Sequence, residues 1–134
     1  MADAGYSGKP LGEKLGIKPG SHVSLQNAPD MYTALIAPIP PDVRIDHAFN
    51  GEADIVHLFT SKRAELVQWL DAWRDQLKPG ACVWVSWPKK ASNVPTDVTE
   101  DVIREVALPL GYVDIKVCAV DAVWSGLKLV IRKT

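Results

Sequence analysis

Three consecutive runs decide the fold: Ala53-Asp54-Ile55-Val56-His57-Leu58-Phe59, then Lys62 through Leu77, then Ala81-Cys82-Val83-Trp84-Val85-Ser86. The first and last are short, apolar and rich in β-branched or aromatic residues, as strands buried on both faces are. The middle run places Leu66, Trp69, Leu70, Trp73 and Leu77 at helical spacing, so one face of a helix is apolar. Ser61 stands where an N-cap belongs, and Lys78-Pro79-Gly80 ends the helix because proline cannot continue it. Strand, helix and strand of these lengths form a parallel crossover unit.

Working outward, His22 to Gln26 alternates Val23 and Leu25 with polar neighbours and predicts a strand. Asn27-Ala28-Pro29-Asp30 is a turn, and Met31 to Ala37 is a short helix. Pro38, Pro40 and Pro41 interrupt regular structure before a short outer strand at Val43 to Asp46. A second long helix is expected from about Val98 to Leu108, capped by Asp97 with Glu100 as its capping-box partner. Tyr112 to Ala122 and Leu127 to Arg132 read as a closing hairpin around Trp124-Ser125-Gly126. Residues 1–20 form an arm in which Leu11, Leu15 and Ile17 anchor one helical turn. The expectation is a single α/β domain over residues 1–134, with a mostly parallel sheet covered on both faces and an antiparallel hairpin at its C-terminal edge.

Composition bounds the function classes. The chain has 134 residues, 47% hydrophobic and 23% charged, which suits one domain with its own core. Fifteen Lys and Arg against sixteen Asp and Glu leave a net charge of -1, so the basic excess of a general nucleic-acid binder is absent. Met1 to Tyr6 lacks the basic-then-apolar pattern of a signal peptide, and no apolar run reaches the roughly 20 residues of a membrane helix. A cytoplasmic protein with reduced thiols is expected. Cys82 and Cys118 each sit in a strand-like run and read as small buried hydrophobes. His22, His47 and His57 have no metal-ligand spacing and read as core or surface histidines, so no metal site is expected. No catalytic residue is assigned: there is no Gly-x-Ser-x-Gly elbow, and Ser7 has no nearby base.

Ligands of open α/β sheets collect beyond the carboxyl ends of the strands. Leu25-Gln26-Asn27-Ala28-Pro29-Asp30, where a nucleotide-binding fold carries its glycine-rich turn, contains no glycine. The loop Trp87-Pro88-Lys89-Lys90-Ala91-Ser92-Asn93-Val94-Pro95-Thr96-Asp97 is richer in chemistry. Lys89 and Lys90 bring charge, and Ser92 and Thr96 bring hydroxyls, to the expected start of a helix, where anions are favoured. Asn27 and Trp87 complete the candidate ligand-binding set. The alternative is a solvated loop in front of a capped helix, whose start already carries Asp97, Glu100 and Asp101.

Gly5-Tyr6-Ser7-Gly8-Lys9-Pro10-Leu11 and Lys14-Leu15-Gly16-Ile17-Lys18-Pro19-Gly20 resemble the bacterial family called domain of unknown function 3052. Trp87-Pro88-Lys89-Lys90-Ala91-Ser92, Thr96-Asp97-Val98-Thr99-Glu100-Asp101, Lys116-Val117-Cys118-Ala119-Val120-Asp121 and Trp124-Ser125-Gly126-Leu127 match it too. The resemblance implies no activity, because that family has none assigned. The strand order is also similar to a trimmed, Rossmann-like S-adenosylmethionine methyltransferase fold, a three-layer sandwich. Against that pattern the first loop lacks its glycines, and Asp46 is the substitute for the acidic ribose ligand that closes the second strand. The leading expectation is therefore a non-enzymatic or vestigial methyltransferase-like module that binds a small anionic ligand or a protein partner, with the Tyr6 to Pro10 arm over its functional edge. The alternatives are a methyltransferase with an atypical S-adenosylmethionine loop, or an assembly module whose final strands pair with another chain.

Overall fold

A computed structural model describes residues 9–132 of the chain. Tyr6 and Ser7, with the first part of the expected arm, lie outside the described residues. The elements are α1 (Leu11–Leu15), β1 (His22–Gln26), α2 (Tyr32–Leu35), β2 (Arg44–Asp46), β3 (Ile55–Phe59), α3 (Arg63–Trp73), β4 (Cys82–Pro88), α4 (Glu100–Ala107), β5 (Tyr112–Ala119) and β6 (Trp124–Ile131).

The strands form one six-stranded mixed sheet in the order β2-β1-β3-β4-β6-β5. The β2–β1, β1–β3 and β3–β4 ladders are parallel. β6 enters antiparallel to β4 and pairs antiparallel with β5. The expected C-terminal hairpin is therefore present, but Trp124-Ser125-Gly126 lies inside β6 and the turn falls at residues 120–123, while parallel pairing is confined to the four strands from β2 to β4. β6 pairs with β4 along its whole length, from Cys82 opposite Val130 to Pro88 opposite Trp124. The hairpin thus supplies two of the six strands and forms one edge of the sheet, with β6 bonded along all of β4.

Alternation along the strands sends side chains to two apolar cores. Val83, Val85 and Trp87 of β4 join Val56 and Leu58 of β3 against Leu66, Leu70 and Trp73 of α3 and Ile103, Val106 and Ala107 of α4. Trp73 is buried and Trp69 half-buried, and their rings stack 5.5 Å apart. Both serve the core, as the helical spacing predicts. On the other face, Cys82 and Trp84 meet Ile55, Phe59, Val23 and Leu25 beneath Leu15, Ile17, Tyr32 and Ile36. Trp84 also donates its indole N–H to the Leu15 carbonyl at 3.0 Å, so the sheet holds the short α1 by a buried hydrogen bond. A one-turn helix is marginal alone; packing and this bond fix it.

Both expected helix caps are corrected. The residue before α3 is Lys62, whose side chain makes no cap bond, and Ser61 does not cap it. The Arg63 amide is instead met by the Asp97 carboxylate, 2.6 Å away from the loop after β4. With Asp97 taken, Thr99 caps α4 by accepting the Val102 N–H at 3.2 Å. α4 consequently begins at Glu100 rather than at Val98. Glu100 and Asp114 both hold Arg104, tying α4 to β5.

Candidate functional site

β1 through β4 end at one pole of the sheet, followed by the turn at Asn27, the segment after Asp46, Thr60-Ser61 and the long loop from Lys89 to Thr99. The parallel ladders bring Asn27 and Lys89 to this pole. β3 lies between their strands, so the strand ends are two spacings, about 10 Å, apart.

The long loop is stapled down rather than open. The Lys89 N–H donates to the Val123 carbonyl at 2.7 Å, which fastens its start to the β5–β6 turn. Lys90–Ser92 makes a single 3-10 turn, ended by Asn93 at φ 61°. The Ser92 hydroxyl donates to the Lys89 carbonyl at 2.6 Å and accepts from the Val94 N–H. The Thr96 hydroxyl donates to the Ser61 carbonyl at 2.8 Å and accepts from the Val98 N–H. A hydroxyl has one proton to give, so Ser92 and Thr96 hold the loop with theirs. Trp87 points into the core beside α4 and is 8% exposed. Lys89 is half-buried and Lys90 exposed, and neither forms an ion pair among the described residues. Of the candidate set, the two lysines are the groups with free charge.

The first turn has its own geometry. Asn27 is exposed in the left-handed region at φ 61°, a conformation asparagine tolerates better than most side-chain-bearing residues. Its side chain occupies a turn where a glycine would leave the backbone bare for a pyrophosphate. Asp46 ends β2, as a ribose ligand would, but its Oδ2 is already engaged by His22 Nε2 at 2.7 Å and Asn50 Nδ2 at 2.9 Å. Arg44 Nε lies 3.4 Å from Oδ1. These contacts, led by the His22 hydrogen bond, hold the Asp46 carboxyl below the usual carboxylate range. Neither residue fits S-adenosylmethionine in the manner of a glycine-rich loop and a free ribose carboxylate.

A buried polar chain escapes the sequence reading. Tyr32 Oη lies 2.9 Å from His57 Nδ1, and His57 Nε2 lies 2.7 Å from Ser86 Oγ. Burial pushes the His57 pKa down to about 3, so the ring is neutral, with one donor and one acceptor nitrogen. All three side chains are sealed from solvent, which makes the chain a core network rather than a reaction centre. Alternation offers the signal for it: His57 and Ser86 are internal polar residues of adjacent apolar strands and face the same side. The expectation that His57 is a satisfied core histidine agrees with this geometry. Among the described residues, no group of three or more His, Cys, Asp or Glu is placed to hold a metal ion, and no helix is long and apolar enough to cross a membrane.

The sheet order and topology define a Rossmann-like α/β fold shared with solved methyltransferases. A S-adenosylmethionine-dependent methyltransferase from Aquifex aeolicus superposes with a TM-score of 0.69 at 13% identity, over 90% of this chain and 87% of that one. A methyltransferase from Pyrococcus furiosus gives a TM-score of 0.62 at 15% identity, over 89% and 79%. Aeropyrum pernix fibrillarin, solved with natively bound S-adenosyl-L-methionine, gives 0.59 at 13% identity, over 87% and 69%. At such identities the likeness concerns the fold. No protein-family model and no curated protein sequence matches the chain.

Proposed function

We propose that this chain is a non-catalytic methyltransferase-fold module that binds a small anion at Lys89 and Lys90. The carrying observation is that, among the described residues, Lys89 and Lys90 have no ion-pair partner, whereas Asp46 is already engaged by His22 and Asn50. Lysines without carboxylate partners are the complement of a phosphate or carboxylate, and Lys89 and Lys90 are adjacent in sequence at the start of the 3-10 turn. The family assignment within this reading is domain of unknown function 3052, supported by the sequence blocks quoted above. The protein is read as cytoplasmic, in keeping with the free Cys82 and Cys118.

The alternative, an S-adenosylmethionine-dependent enzyme with an atypical loop, is favoured by the solved structures of similar fold. One pair of measurements separates the two. Calorimetry with S-adenosylmethionine and with its demethylated product is expected to show no binding; tight binding of either overturns the non-catalytic reading. Thermal shift with phosphate, sulfate and nucleotides is expected to show stabilisation by at least one anion, lost in the Lys89→Ala/Lys90→Ala double variant. No shift with any anion overturns the anion site and leaves a protein as the partner to be sought by pull-down.

A further inference from the structure

A cleft lies at the opposite pole from Lys89, where β4 begins and β6 ends. It has a volume of about 730 Å³, within the roughly 300–1,000 Å³ usual for small-molecule sites. Leu77, Val113 and Ile131 supply apolar lining, and Arg74, Lys78 and Arg132 supply the cations.

One turn holds the Arg74 side chain and the Arg132 backbone. Arg74 Nε donates to the Leu110 carbonyl at 2.9 Å, and the Arg132 N–H donates to the adjacent Gly111 carbonyl at 2.8 Å. Gly111 sits at φ +97°, and a Cβ there would stand 2.8 Å from Arg74 Nε and 2.9 Å from its Nη2. A side chain there would push that guanidinium aside, and the positive φ itself favours glycine. Lys78 is neutralised by Asp54 at 2.5 Å. Asp75, which also lines the cleft and is almost fully exposed, makes only a loose ion pair with Arg74 Nη1 at 3.9 Å, too long for a hydrogen bond. The Arg132 side chain has no partner among the described residues, and Arg74 keeps donors to spare after its one bond. An apolar lining beside two available guanidinium groups complements a molecule with an apolar body and a single acidic head.

We propose that this cleft binds a free amphiphilic carboxylate, with its acyl or aryl tail on Leu77, Val113 and Ile131 and its carboxylate on Arg74 and Arg132. Guanidinium groups favour this head because their paired N–H donors match the two carboxylate oxygens. The site is independent of the anion site at Lys89 and Lys90.

The test is calorimetry of the whole chain with monomeric decanoate, decanol and acetate. Saturable 1:1 binding of decanoate is expected, with decanol and acetate each weaker by about tenfold or more, since one lacks the head and the other the tail. Arg132→Glu should weaken decanoate about tenfold, because the exposed side chain can change while its backbone bond to Gly111 remains. Arg63→Glu, the same charge change on exposed α3, should leave binding unaltered. Val113→Trp, which narrows the cleft, should abolish binding while thermal unfolding stays cooperative. Decanol binding as tightly as decanoate overturns the proposal, as does decanoate binding that is indifferent to Arg132→Glu. Association with anionic vesicles but not with monomeric decanoate overturns it in favour of a membrane surface.

Discussion

The Asp97 carboxylate accepts the backbone N–H of Arg63 at 2.6 Å, so the loop after β4 caps the helix that precedes β4. The same loop sends Thr96 Oγ1 and the Asp97 amide to the Ser61 carbonyl. Three bonds thus hold the Lys89-to-Thr99 loop onto the β3–α3 turn, and the lysines ride on that fastened loop. Order at the candidate site is therefore coupled to the stability of α3.

Asp97→Ala is expected to cost about 1 kcal/mol, the usual cost of losing a helix cap. Thr99→Ala should cost a similar amount through α4. Urea unfolding checks both. Hydrogen exchange adds a discriminating readout: Asp97→Ala should expose the amides at the start of α3, and Thr99→Ala should not. Unchanged α3 exchange in Asp97→Ala would remove the cross-loop cap.

Trp84→Phe keeps an aromatic ring in the second core but deletes the indole N–H that satisfies the Leu15 carbonyl. The expected loss is about 1–3 kcal/mol, the cost of leaving a buried carbonyl unpaired. The loss should be local as well as global, with faster exchange and proteolysis around α1 than elsewhere. Equal effects across the whole sheet would mean that α1 is held by packing alone.

Stability should fall with acid in a window set by His57. Burial depresses its folded pKa from an ordinary 6.5 to about 3, so the unfolded chain binds a proton there first. The contribution is fully present above about pH 6.5 and is lost progressively as pH falls toward 3, by up to about 1.4 kcal/mol per pH unit. Asp46, Asp54 and Asp114 have carboxyls held below their ordinary range, so their contributions fade only in stronger acid. Urea midpoints between pH 7 and pH 5 should slope downward in the native chain and flatten in His57→Gln. An unchanged slope in that variant would assign the acid sensitivity to another group.

Ser24 points its hydroxyl into the interior from the middle of β1, with no hydrogen-bond partner among the described residues. Ser24→Ala removes that unpaired group with little change of shape and should stabilise the chain by about 1 kcal/mol. Thermal unfolding decides it; a clear loss of stability would show that the hydroxyl has a bonding role.

The sequence by itself determined the elements and their order. Leu66, Leu70 and Trp73 occur at a helical period, and Val23 and Leu25 alternate, because each element must bury one stripe or face. The end of α3 was not legible: the sequence places it at Lys78-Pro79-Gly80, yet the helix stops at Trp73 and the chain turns through residues 74–80 instead. The missing glycines after β1 were legible, since backbone access to a phosphate is a property of residue type. The tertiary structure alone decided who bonds to whom. Asp97 and Ser61 each stood at a plausible local cap position in sequence, yet one caps a helix 34 residues earlier and the other lends only its carbonyl. Ser92 and Thr96 read as anion donors until their single protons were traced to Lys89 and Ser61 carbonyls. The physical reason is range: periodicity and turn chemistry act over a few residues, whereas a polar group's partner is set by which strands lie side by side.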